Sequence, residues 1–292
     1  MVILCDDRAM SEASLPPHNR PAAVMLAGSV PIAKADFIEG MAKGMAVLEA
    51  FDTQRQRLNA TLAAERAGIT RAAARRHLLT LAHLGYLETD GRFFWLAAKV
   101  LRFSGSYLAT ARLPRSVQPT LNRLAAQTQA CFSVAVLDGD EVVIIGRSGL
   151  EWKTPETRPG QARVLAYGLH LGARLPAHAT STGRVLLAAQ TPQNFSAWLQ
   201  ARSVAGLARL TVRTTTDLRQ LQSIIDKVRQ DDCCLASEEH ELGVQALAVP
   251  LRDMQGATVA ALNVVSTVPG EARSLSFLPL LLDAARELRP LL

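Results

Sequence analysis

Cysteine is scarce in this chain of 292 residues: there are four, at Cys5, Cys131, Cys233 and Cys234. None makes a C-x-x-C pair and two are adjacent, so neither a thiolate zinc site nor a disulfide framework is expected. No apolar run approaches the roughly 18 residues that cross a bilayer, which argues against a membrane protein. The start, Met1-Val2-Ile3-Leu4-Cys5-Asp6-Asp7, has an apolar patch but no basic flank, and it does not read as a secretory signal. Also missing are G-x-G-x-x-G, a Walker loop and a G-x-S-x-G elbow. What is present is ordinary globular composition, 49% hydrophobic and 20% charged. That excludes a disordered or collagen-like chain and gives length for one or two cores. A cytoplasmic protein is the default expectation.

The net charge of +6 is unevenly spread. Residues 1–34 are neutral, and residues 35–112 hold eleven basic and seven acidic residues, a net +4. The smaller segment therefore carries most of the excess. That points weakly to a polyanion partner, although many enzymes share such an excess.

Residues 1–34 are rich in Ser, Pro, Ala and Gly without a sustained period, and read as a mobile tail. From Asp36, placed as a cap, Phe37, Met41, Met45, Leu48 and Phe51 recur at helical spacing. Leu62–Ala67 is a short second helix stopped by Gly68. Thr70 caps a third over about 71–84, which Gly85 ends. Asp90-Gly91 between Tyr86–Thr89 and Arg92–Trp95 signals a hairpin. Residues 96–112 look helical and end before Pro114, where the domain junction is placed. The expected division is a tail over 1–34, a first domain over 35–97, a connecting helix over 98–113 and a second domain over 114–292. In the last part helices are read at 118–129, 182–190, 218–230 and 278–288. Strands are read at 132–137, 141–147, 163–167, 246–252 and 258–266. The fold class is α+β with hairpin-type antiparallel pairing.

Two short helices, a Gly-containing turn, a third helix and a hairpin make a winged helix-turn-helix. On the third helix Ala74, Leu78 and Leu81 share one face and dock inward. Ala72, Arg76 and His83 fall opposite, Arg75 lies between, and Arg71 sits in the first turn. Three arginines, small alanines and a Thr70 cap suit a helix in the major groove of double-stranded DNA, where Arg meets guanine or phosphate. Arg92 on the wing is placed to meet the neighbouring backbone or minor groove. Leu79 points outward and is expected to pack against the wing. Taken singly, each arginine is as well explained by a solvated helix face.

From 36 to 290 the chain resembles the IclR family of bacterial transcription regulators. The resemblance is carried in the first domain by Phe37–Ala50, Ala67-Gly-Ile-Thr-Arg-Ala-Ala-Ala-Arg-Arg-His77 and Leu84-Gly-Tyr-Leu87. In the second it is carried by Leu175-Pro-Ala-His-Ala-Thr-Ser-Thr-Gly-Arg-Val-Leu-Leu187, Glu238–Pro250 and Ala260–Val265. The entry Phe-Ile-Glu-Gly-Met-Ala-Lys-Gly is similar to the branch that regulates breakdown of protocatechuate and hydroxybenzoate. The resemblance implies an N-terminal winged helix-turn-helix, a linker helix, and a C-terminal effector domain akin to GAF and PAS sensors, with an antiparallel sheet flanked by helices. It implies a homodimer, or a tetramer built as a dimer of dimers, on a pseudo-palindromic operator. It leaves room for a contact to RNA polymerase.

Little in the sequence suggests catalysis, a cofactor or a metal. His240-Glu241 lacks the second His of a zinc-protease helix, and Glu238–Glu241 is read as a turn before a strand. His178 and Ser181 have no acidic orienter indicated nearby. The rival function is a small-molecule-converting enzyme with a basic accessory domain. The effector is expected to be a small aromatic carboxylate. Helix N-termini hold anions, and the small residues of Thr180-Ser181-Thr182-Gly183 let a carboxylate reach the amides of Ser181 and Thr182. By resemblance, the pocket is completed near Ala236 and by Ala246, Asn263 and Val265. The two alanines stand where binders of small keto acids carry larger polar groups, which suits an aromatic ring. His178 is counted with the pocket, Leu165 and Tyr167 with its apolar wall, and Arg147 and Arg163 as counter-charges.

Overall fold

The computed structural model describes residues 32–52, 55–148, 170–267 and 271–292. Two compact units form, the first ending at Leu101 and the second beginning at Arg102.

The first unit holds α1 (Glu39–Glu49), α2 (Ala60–Ala67), α3 (Arg71–His83) and the strands β1 (Leu87–Thr89) and β2 (Phe94–Leu96), paired antiparallel. Local chemistry sets the boundaries. The Asn59 side chain accepts from the Thr61 and Leu62 amides to start α2, and Gly68 ends it at φ +65°, a left-handed conformation in which glycine is unstrained. Thr70 caps α3 by accepting from the Ala73 amide at 3.3 Å. Val47, Phe51, Leu58, Ala63, Ala74, Leu78, Leu87 and Phe94 form the core. The isolated bridge Leu58↔Phe94 lays a third segment against the hairpin.

Three expectations fail here. Asp36 does not cap α1, which starts at Glu39 behind Ile38. Its apolar residues do not form one buried stripe. Val47, Ala50 and Phe51 are buried, whereas Phe37, Met41 and Met45 are exposed on another face. Leu79 does not bury itself against the wing and is 42% exposed.

A short 3-10 turn (Ala98–Val100) leads into α4 (Leu101–Thr110), and α5 follows at once over Arg112–Thr128. The break falls at Ala111, which is extended at ψ 129°. Helix therefore resumes before Pro114 instead of after it. Pro114 sits in the first turn, where its missing N–H would have no partner anyway, and Pro119 is tolerated farther along.

The second unit is built on a six-stranded antiparallel sheet in the order β5-β4-β3-β8-β7-β6. Its strands are β3 (Cys131–Asp138), β4 (Glu141–Arg147), β5 (Arg174–Pro176), β6 (Cys234–Ser237), β7 (Val244–Arg252) and β8 (Thr258–Thr267). The remaining helices are α6 (Ser181–Ala188), α7 (Pro192–Ala205), α8 (Leu218–Asp231), α9 (Glu271–Ser276) and α10 (Leu278–Leu288). One sheet face carries Phe132, Val134, Leu247, Val249, Leu262 and Val264 under α5 and α10. The other carries Ala135, Ala248 and Ala261 under α6 and α8. Alternation along each strand thus sorts large side chains to one face and small ones to the other. The small face lets α6 approach closely and leaves space beside its start.

The sequence reading missed α7, α9 and the short strands β5 and β6. The strand expected at 163–167 lies outside the described residues.

Candidate DNA-reading face and effector cavity

On the first unit, Arg71, Ala72, Arg75 and Arg76 are all exposed on α3, while Ala74 and Leu78 are fully buried beneath them. Among the described residues, none of the three guanidinium groups has a side-chain partner. They lie on the first two turns of a helix whose start Thr70 fixes. Arg66, by contrast, is tied up: its Nε donates to the Ala50 carbonyl at 2.7 Å and its guanidinium pairs with Asp52.

The wing adds a cation that sequence reasoning missed. Arg57 stacks over Trp95 at 4.5 Å, lies 5.8 Å from the Phe93 ring and pairs with Asp90 at 2.7 Å. Arg92 sits over the opposite end of this aromatic row, 5.3 Å from Phe93. The Asp90 carboxyl accepts from the amides of Phe93 and Arg92, which hold its pKa below the usual value. The Leu58↔Phe94 bridge sets Arg57 beside the hairpin, and no local motif announces that pairing.

On the second unit, a cavity of about 70 Å³ lies between the start of α6, the small face of the sheet and the turn joining β6 to β7. Register explains its floor. Ala236 pairs with Ala246 and Ala246 with Val265, one row across β6, β7 and β8. Asn263, two residues back on β8, faces the same way. The structure thus brings together Ser181, Thr182, Ala236, Ala246, Asn263 and Val265.

At the α6 end, Thr180 Oγ1 accepts from the Gly183 amide at 3.2 Å. The amides of Ser181 and Thr182 are in the first turn and have no carbonyl one turn back to bond. Ser181 is fully buried, and its hydroxyl has no hydrogen-bond partner among the described residues. Gly183 is required by packing, since a Cβ there would stand 2.2 Å from the Ala177 carbonyl oxygen.

A buried ion pair holds this arrangement. Arg184 is 2% exposed, and its two terminal nitrogens bond both carboxylate oxygens of Glu239 on the β6–β7 turn. Its Nε donates to the His178 carbonyl at 2.8 Å, and Glu239 also accepts from the Thr215 amide at 2.9 Å. Burial pushes the Glu239 carboxyl up, but the Arg184 hydrogen bonds and charge, with those from Thr215, outweigh it and leave the pKa lowered.

Other sequence expectations are not met. His178 does not line the cavity: it is buried, with its Nε2 3.0 Å from the Ala208 carbonyl. Arg147 shares a cross-strand row with Ser133 and Asn263 but lies two strands from Asn263. Its guanidinium turns toward Cys131 Sγ at 3.8 Å, and it is not part of the cavity wall. Arg163, Leu165 and Tyr167 lie outside the described residues. In their place the cavity gains Glu239, His240 and Glu241. The sequence alone reads that run as a turn before a strand. Among the described residues, no group of three or more His, Cys, Asp or Glu is placed to hold a metal ion, and no helix is long and apolar enough to cross a membrane.

Comparison with known proteins agrees with both halves. The IclR helix-turn-helix domain matches residues 40–91, and the C-terminal domain of bacterial transcriptional regulators of the IclR type matches 105–289. The Pca operon regulatory protein of Acinetobacter baylyi is 49% identical over 260 residues, covering 88% of this chain and 90% of that protein. The p-hydroxybenzoate hydroxylase transcriptional activator of the same organism is 51% identical over 259 residues, covering 88% and 92%. Among solved structures, the inducer-binding domain of an Acinetobacter PobR double mutant, in complex with 3-hydroxybenzoic acid, is 46% identical. It covers 61% of this chain and 98% of its own, with a TM-score of 0.53. An exposed arginine face on a capped helix, joined in one chain to a domain with a cavity beside a helix start, is the division of labour of a ligand-responsive DNA-binding regulator, and this chain belongs to the IclR family of bacterial transcriptional regulators.

Proposed function

We propose that this regulator senses a small aromatic carboxylate and controls genes for the breakdown of aromatic acids. The carboxylate sits on the free amides of Ser181 and Thr182 and accepts from the Ser181 hydroxyl, where the first turn of α6 adds its partial positive charge. The ring lies over Ala236, Ala246 and Val265, with Asn263 beside it. The observation that carries this reading is the fully buried Ser181 hydroxyl without a partner, at the edge of a cavity floored by alanine. A buried polar group normally has a partner, and a bound acid supplies one. The names of the two Acinetobacter baylyi relatives support the same chemistry.

In this reading the DNA-binding domain is 35–97, the linker 98–113 and the effector domain 114–292. Arg71, Ala72, Arg75 and Arg76 enter the major groove of the operator, with Thr70 fixing the helix start. Arg92 and Arg57 meet the backbone from the wing. The protein acts in the cytoplasm as a homodimer or a dimer of dimers, and any contact to RNA polymerase is made from the operator-bound form. It does not convert its effector, so the acid is recovered unchanged after incubation.

Calorimetric titration of the full chain with benzoate and 4-hydroxybenzoate tests the site. Ser181→Leu fills the cavity edge and is expected to abolish binding and effector response while operator affinity stays as in the wild type. Wild-type affinity for the acid in that variant would place the site elsewhere.

A further inference from the structure

This inference rests on the effector reading above and concerns what the cavity demands of the ring. Three polar side chains of the wall are already engaged, Asn263 through its oxygen alone, while the Thr182 hydroxyl stands beside Ser181 at the carboxylate end. Thr180 caps α6, and Glu239 is neutralised by Arg184. Asn263 Oδ1 accepts from the Ser133 hydroxyl. With Ser181 assigned to the carboxylate, His240 and Glu241 stand out. Among the described residues, neither side chain has a hydrogen-bond or ion-pair partner, although both are half-buried on the cavity wall. A benzoate ring offers such groups nothing, whereas a ring hydroxyl is a donor that an acceptor can use.

We propose that His240 accepts the hydrogen bond of a ring hydroxyl and so selects hydroxybenzoates over benzoate itself. Whichever tautomer is present, a neutral imidazole keeps one acceptor nitrogen. Burial, and the charge of the nearby His178, push the His240 pKa down, so its ring is neutral at pH 7. His178 does not take this role, because it is buried outside the cavity wall, with its Nε2 against the Ala208 carbonyl. An ionised Glu241 would bring a second negative charge into the cavity that holds the ligand's carboxylate. A neutral acceptor brings none.

The test is calorimetric titration of the full-length protein with benzoate, 3-hydroxybenzoate and 4-hydroxybenzoate. One buried neutral hydrogen bond gives the wild type an expected preference of about three- to tenfold for at least one hydroxybenzoate. His240→Phe, which keeps a ring but removes both nitrogens, brings that ratio to about one. His240→Gln, which keeps an acceptor, retains part of the preference. Ser181→Leu abolishes binding of all three acids and marks the site. A wild type without preference, a His240→Phe variant that keeps it, or one that weakens all three acids equally overturns the assignment of His240 and leaves the Ser181 site standing. A wild type that binds none of the acids removes the effector reading and this inference with it.

Discussion

Replacing Glu239 by Gln removes one charge from a pair whose other member cannot reach water. Arg184 is 2% exposed and the Glu239 side chain 11%. Gln keeps an oxygen for the Thr215 amide and roughly the same volume, so packing is little changed. What it loses is the counter-charge, and its own N–H groups now face guanidinium donors. Leaving a buried charge without its partner costs about 3–5 kcal/mol, against a total stability on the order of 5–15 kcal/mol for a domain. Urea unfolding followed by circular dichroism should therefore show a much lower midpoint for the effector unit with an unchanged slope. Removing the cation as well, in Arg184→Met/Glu239→Gln, relieves the stranded charge and should recover at least about 1–2 kcal/mol of the loss, so the two substitutions couple strongly. The pH dependence has a definite sign. The folded Glu239 pKa lies below its ordinary 4.5, so its contribution is complete above that pH and is lost as pH falls through the folded value. In Glu239→Gln that acid-side loss is absent. A single-variant cost below about 1 kcal/mol, or a double variant no better than the single, would refute the claim that this pair joins α6 to the β6–β7 turn.

Arg75→Ala and Arg76→Ala should each weaken operator binding in gel shifts by about 1–3 kcal/mol where the arginine reads a base. A phosphate contact would instead weaken all sequences alike and lower the salt slope by about one unit. Unchanged operator affinity in both variants would count against α3 as the reading helix. Gly183→Ala places a methyl group on the Ala177 carbonyl, so it should cost on the order of 1–3 kcal/mol of stability and weaken benzoate binding with it, read by thermal shift with and without ligand. Light scattering at micromolar concentration should give at least a dimer, because Phe37, Ile38, Met41 and Met45 of the first unit and Tyr107 of α4 expose apolar surface. A monomer at that concentration would sink the oligomer.

Legibility in the sequence followed the range of the interactions involved. The Thr70 cap, the Gly68 stop and the Asp90-Gly91 hairpin are set within four residues, so local chemistry announces them. The arginine face of α3 was readable for the same reason, since one buried stripe, Ala74 and Leu78, fixes which way the rest must point. Helical periodicity failed on α1 because its apolar residues serve two faces, only one of which the chain itself buries. Four cavity residues found by resemblance, Ala236, Ala246, Asn263 and Val265, meet because sheet register sets them on one face. The polar groups depend on tertiary geometry that spacing does not encode. His178 turns toward a carbonyl thirty residues later, and Arg147 turns toward Cys131. His240 enters the cavity wall on a turn that Arg184 anchors from fifty-five residues away through Glu239. A histidine two residues from a helix cap looks nearer to a ligand than one in an acidic turn. The buried Arg184–Glu239 pair reverses that order, because it draws the β6–β7 turn onto the start of α6 and makes the turn, not the stretch before the helix, the polar wall of the site.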